Sequence, residues 1–274
     1  MAGPAPRYVE APPVTPLRYG LLDAAVVVDN PDPHIGLGTM WEPENCDIVY
    51  RTIGACVESA SGIDKTINDG FPLVEADAFN VYNLVRCRPV GVTVDDLRDR
   101  ATRGLRLGEG RAVEAEFQEA FFAGATDITP SGTAVDIVDG LAVLEEYAAS
   151  VYGGNPVIHV QRGIGTRLAS RYAIQRGSRT LETMQGALVA SGGGYTGDVG
   201  PSAPGAGEVW IFASGTVLVE RNSPRINPNA GVVMGSDPDP VNEVYVLAER
   251  PYSVGYECFL VGVKVHEVHE WFAP

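Results

Sequence analysis

The residues whose types could do chemistry come first. The run SGGGYTGDVGPSAPGAG (residues 191–207) has the glycine density of a phosphate-cradling loop, where bare backbone N–H groups face an anion. No Lys-Ser or Lys-Thr follows it and no helical pattern opens at its end, so it reads as a mobile surface loop. His266 and His269 stand three apart in HEVHE, a spacing that can serve a metal, but beside acids near the C-terminus they read as a solvated tail. His159 lies inside the apolar PVIHV and reads as a hydrogen-bonded core histidine rather than a base. Cys46, Cys56, Cys87 and Cys258 show neither CxxC nor metal spacing and read as buried reduced thiols. No GxSxG occurs, and no Cys/His pair or glycosidase-like carboxylate pair stands out from 35 acids. Asp95-Asp96 and Glu145-Glu146 read as solvated helix faces. The sequence offers no ordinary enzyme site, and neither cofactor nor metal is expected.

The elements that would position such groups are of mixed type. LLDAAVVVD (residues 21–29) is β-branched and apolar, which predicts a short buried strand. Residues 30–70 carry Pro, Gly, Asn and Asp without a sustained period and predict an excursion from the core. Within it, residues 47–59 and 72–88 could pair as a hairpin, with Ser61, Gly62, Lys65, Asn68 and Gly70 at its tip. Thr93 can cap a helix over VDDLRDRATRGLRL, and GRAVEAEFQEAFFAGA continues with Val113, Phe117 and Phe121 on one stripe. Thr133 opens a further helix containing Ile137, Leu141, Leu144 and Ala148, and GGNP stops it before the strand PVIHV. Residues 161–176 are weakly helical. Beyond residue 207 the chain reads as β: EVWIFA and TVLVER joined by a Ser214-Gly215 turn, then NEVYVLAER and SVGYECFLVGVKV. The fold class is α+β.

Bulk properties limit the partners. A 274-residue chain can bury a sizeable core, and 45% hydrophobic with 20% charged residues is a globular balance. A net charge of −15 excludes a mainly electrostatic nucleic-acid binder but suits a wall to which packed DNA must not stick. No apolar run is long enough to span a bilayer, and the Pro-rich start, MAGPAPRYVEAPPVTP, reads as an extended arm rather than a secretory signal.

This order of elements, ending in VYVLAERPYSVGYECFLVGVKV, resembles the tailed-bacteriophage major capsid protein, whose fold encapsulin nanocompartments share. The resemblance covers nearly the whole chain as layout. It implies an N-terminal arm (1–20), a peripheral-domain segment (21–44) and an extended loop over a neighbouring subunit (45–80). A peripheral domain with its spine helix (81–128), an axial domain (129–212) and a peripheral-domain return (213–274) follow. It also implies a shell of hexamers and pentamers enclosing double-stranded DNA without sequence-specific binding. Portal, scaffolding and decoration proteins would be further partners, and assembly would follow synthesis in the bacterial host cytoplasm.

One residue set is carried over from self-crosslinking members. A Lys on the long loop attacks an Asn of a neighbour, with a Glu seven residues after that Asn as base. Here these are Lys65, Asn242 and Glu249, since 249 − 242 = 7. Lys65 is one of two lysines in the chain, the other being Lys264. An odd separation puts Asn242 and Glu249 on opposite faces of a regular strand, so the match requires a bend or bulge. The rival readings are an encapsulin-like cargo shell and a tail-tube or head–tail adaptor subunit.

Overall fold

Thr93 starts the longest element. Its hydroxyl accepts from the Asp96 N–H and its own N–H donates to the Asp96 carboxylate, a reciprocal cap that opens helix α2. The computed structural model describes residues 12–43, 46, 73–87, 93–227, 231–232 and 244–267. In chain order these form α1 (Leu21–Ala24), β1 (Val26–Asp29), β2 (Thr39–Trp41), β3 (Val74–Ala76), β4 (Ala78–Cys87) and α2 (Val94–Phe121). Then come β5 (Thr126–Asp127), α3 (Ile137–Val151), β6 (Val157–Gln161), α4 (Arg162–Ser170), β7 (Ile174–Arg176), β8 (Leu181–Thr183) and β9 (Leu188–Gly192). The chain continues through β10 (Glu208–Ser214), β11 (Val217–Arg221), β12 (Arg225–Ile226), β13 (Gly231–Val232), β14 (Val244–Tyr256) and β15 (Leu260–His266).

Two sheets carry the fold. One has the order β5-β15-β10-β6-β9-β8-β7. The other has β1-β11-β14-β12, with β4 and β13 also on β14. A small β2–β3 pair lies on the second sheet, where Trp41 packs against Gly255 and the Ser253 hydroxyl donates to the Ala76 carbonyl at 3.1 Å. Helix α2 crosses both sheets. Leu97, Ala101 and Leu105 meet Val81, Val246, Ala248, Tyr252 and Val254, while Phe117 and Phe122 reach Trp210 and Phe212. On the far side of the seven-stranded sheet, α3 and α4 bury Ile137, Leu141, Leu144, Ile164 and Leu168 against Ile158, Ile211 and Val263. Strand β10 shows the logic: Trp210 and Phe212 face α2, Ile211 and Ala213 face α3, and all four are buried.

Several expectations change. The stretch 21–29 is not one buried strand but a helical turn followed by β1, whose Val26 and Val28 are exposed; Gly20 and the Glu114 carboxylate set the turn. The two helical segments are one, because i→i−4 bonding continues through the glycines and Gly104 gives room for Asn83, whose amide donates to the Ala101 carbonyl at 3.0 Å. The cap of α3 is Asp136 rather than Thr133; its carboxylate accepts the Val138 N–H at 2.9 Å. Ser214-Gly215 is not a hairpin turn, since β10 lies in one sheet and β11 in the other. The return strand 72–88 exists as β3 and β4, but these pair with β2 and β14; residues 47–59 lie outside the described residues. Strand β14 runs unbroken through Pro251, which lacks an N–H. Its carbonyl accepts from Asn222 in the gap between β11 and β12, where no ladder donor is required.

Candidate functional site

Two surfaces have the character of joints, one where the two sheet layers meet along α2 and one on the six-stranded sheet. The first is where the N-terminal segment docks. Residues 12–18 are exposed and outside any helix or strand, with Val14 and Leu17 in solvent. The chain is then fastened over residues 18–21, with the Glu114 carboxylate of α2, only 3% exposed, at the centre of the contacts. Oε1 accepts the Leu21 N–H at 3.0 Å and Oε2 accepts the Gly194 N–H at 2.8 Å. The Tyr19 carbonyl accepts from Ser191, and Arg162 donates to the Arg18 carbonyl at 3.1 Å. Burial pushes the Glu114 carboxyl up, against the pull of the Gly194, Leu21 and Gly193 amides and the Arg162 charge.

The glycine run belongs to this joint. A side chain at Gly194 would lie 2.3 Å from the Arg111 carbonyl, so only glycine lets the strand exit lie against the helix backbone. The mobile-loop expectation is therefore corrected: Gly192, Gly194, Tyr195 and Gly197 are buried. Below them His159 does what its context implied. Nδ1 bonds the Tyr195 hydroxyl at 3.0 Å, Nε2 bonds the Ser214 hydroxyl at 2.9 Å, and the ring stacks on Phe117. Burial drives its pKa down to about 3, so it is neutral.

The second surface is the face of the six-stranded sheet turned away from α2. Tyr82 and Leu84 of β4 and Val26 and Val28 of β1 stand exposed there, Tyr82 at 65%. Glu249 shares this face, in register with Tyr82 on β4 and Arg225 on β12, while its neighbours Ala248 and Arg250 turn toward α2. On that inner side Arg250 and the Tyr252 hydroxyl both donate to Glu109 at 2.8 Å, and burial pushes the Tyr252 phenol up to about 12. Of the three crosslink residues, Glu249 alone is described; Lys65 and Asn242 lie outside the described residues.

Other expectations resolve differently. Cys46 and Cys258 are not separate buried thiols: half-buried, they meet in a disulfide, 212 positions apart in sequence. Their spacing carried no signal because the fold, not the chain, brings them together. Glu145 is not a solvated face residue, since it accepts from the Thr183 hydroxyl, whereas Glu146 is exposed. His266 ends β15 opposite Glu208, and His269 lies outside the described residues. Among the described residues no three His, Cys, Asp or Glu side chains gather as a metal site.

Solved structures match this architecture from end to end. The capsid of Ralstonia phage GP4 superposes with a TM-score of 0.57 at 10% identity, over 99% of this chain and 97% of that one. The chain has the tailed-phage major capsid fold. The capsid of a native GTA particle gives a TM-score of 0.56 at 12% identity over 96% of each chain. The holo-SrpI encapsulin complex of Synechococcus elongatus gives 0.53 at 12%, over 97% and 94%. No family model matches the sequence, and no curated protein matches it. The capsid fold here is thus kept by architecture at identities of 10–12%. Neither the Glu114 clasp nor the disulfide was singled out by the sequence, where Glu114 and Glu116 both stand between Val113 and Phe117 with nothing to tell the buried acid from the exposed one.

Proposed function

We propose that this chain is the major shell subunit of a tailed bacteriophage, self-assembling into hexamers and pentamers of an icosahedral container for double-stranded DNA. The observation that carries this reading is the correspondence in fold with the phage capsid over 99% of this chain and 97% of that one. The net charge of −15 supports an interior that repels rather than binds DNA.

In this reading residues 1–20 are an arm, clasped at Glu114 and reaching outward with Val14 and Leu17. The extended loop expected at 45–80 gives up its last residues to β3 and β4 of its own subunit, and the part ahead of them laps over the open sheet face of a neighbour, covering its Tyr82 and Leu84. Residues 93–123 are the spine, 129–212 form the axial domain around the symmetry axes, and 213–274 complete the peripheral domain. Contacts made by arm and loop are repeated on every subunit, so individually weak ones sum over the shell. Portal, scaffolding and decoration proteins act at this shell.

A covalent step fits the same contact. Lys65 of one subunit attacks the Asn242 carboxamide of the next, Glu249 takes the amine proton and returns it to the leaving nitrogen, and an isopeptide bond forms as ammonia departs. Electron microscopy of the purified chain, with denaturing electrophoresis beside a Lys65→Ala particle, tests both levels. Closed shells with a high-mass ladder absent from the variant are expected. Shells that give a single 29.1 kDa band would remove the crosslink alone. Open rings or tubes would remove the shell, and closed particles carrying protein instead of DNA would make it a cargo compartment.

A further inference from the structure

Two half-buried cysteines meet where the chain passes between the sheets. Cys258 occupies the corner between β14 and β15. The other crossing, between β10 and β11, runs beside it: Glu257 N–H donates to the Thr216 carbonyl at 2.9 Å and Gly215 N–H to the Phe259 carbonyl at 3.2 Å. A side chain on Gly215 would lie 2.3 Å from the Glu257 carbonyl, so the two crossings touch backbone to backbone. The Tyr152 hydroxyl at the end of α3 donates to Glu257 at 2.9 Å and accepts the Thr216 N–H at 3.1 Å. This junction is complete without Cys46.

Cys46 comes from elsewhere, just past the β2 strand and Pro43. Its Cα lies 5.0 Å from that of Cys258, inside the span of about 4.4–6.8 Å that a disulfide bridges without moving backbone. The bond lines a cleft of about 540 Å³ with Val74, Phe121, Tyr147, Val151 and Phe259, wide enough to admit a small thiol or disulfide.

We propose that Cys46–Cys258 is a thiol–disulfide exchange site that stays open in reducing surroundings and is closed by a low-molecular-weight disulfide of the glutathione class. Closed, it ties Cys46, just past β2, to the sheet junction at Cys258. One cysteine thiolate attacks the small disulfide, giving a mixed disulfide and releasing one small thiol. The second cysteine displaces the other, so two electrons and two protons leave the protein on two small thiols. The proposal goes beyond the shell reading and holds whether or not the chain builds shells.

The test is intact-mass analysis after maleimide capping, with melting followed in parallel. Protein made in a reducing cytoplasm and lysed into maleimide is expected to carry four adducts, one for each cysteine. After oxidised glutathione, two adducts and a joined Cys46–Cys258 peptide are expected. The melting midpoint of the wild type should rise by about 5–10 °C on oxidation, as closure of a long loop implies. Cys46→Ser and Cys258→Ser should each abolish the rise. If either variant fails to fold, the oxidised and reduced wild type still decide. Four adducts after oxidation, a joined pair involving Cys56 or Cys87, an unchanged midpoint, or only two adducts at lysis would each overturn the proposal.

Discussion

The two sheets are built for different surroundings. The seven-stranded sheet is sandwiched between α2 and the α3–α4 layer, and β6 and β10 are buried on both faces. The six-stranded sheet is buried on one face only, and β4 alternates: Phe79, Val81 and Val85 face the core while Tyr82 and Leu84 face solvent. The first half finishes its own core. The second presents apolar side chains that the small β2–β3 pair covers only in part, the surface that the proposed shell reading assigns to a neighbour.

Breaking the closed half should cost most. Leu144, fully buried under α3, is expected to cost about 3–5 kcal/mol when cut to Ala, whereas Val28→Ala on the open face should change unfolding by less than about 0.5 kcal/mol. Urea unfolding of both variants checks the contrast; equal losses would erase the difference between the halves.

Acid sharpens the comparison at the joint between them. His159 is neutral in the fold, with its pKa lowered by burial to about 3, while the unfolded chain takes up the proton below about 6.5. Its contribution is therefore fully present above pH 6.5 and lost as pH falls toward 3, by up to about 1.4 kcal/mol per pH unit. Glu114 acts in the opposite sense: its raised pKa lets the fold bind the proton more tightly, so stability falls as pH rises from 4.5 through that raised value. Stability measured against pH for the wild type and His159→Gln separates the two. The acid-side loss should flatten in the variant, and an unchanged curve would mean that His159 does not carry it.

The sequence showed elements better than joints. Runs such as EVWIFA and PVIHV are apolar because both faces are buried, and Thr93 before Asp96 announces a helix start; both were legible as local chemistry. The α+β class and the resemblance to the tailed-phage capsid fold followed from their order. What stayed hidden depends on pairs distant in the chain. Gly194 looks like loop freedom until the Arg111 carbonyl is found against it. Glu114 looks like one more acid until it is seen to hold Leu21 and Gly194. Pro251 looks like a strand break until the missing ladder beside it appears, and Ser214-Gly215 has the composition of a tight turn although it bridges two sheets. Cys46 and Cys258 have no local signature at all. Lys65 and Asn242 rest on the resemblance alone.

The most direct test of an unfinished half is a Tyr82→Ser, Leu84→Ser double variant followed by subunit melting and by particle yield in electron microscopy. Both side chains are exposed in the isolated chain, so subunit stability should stay within about 0.5 kcal/mol of wild type while closed particles are lost. Shells formed at wild-type yield would contradict the account, because the open sheet face would then not be where a neighbour completes the fold.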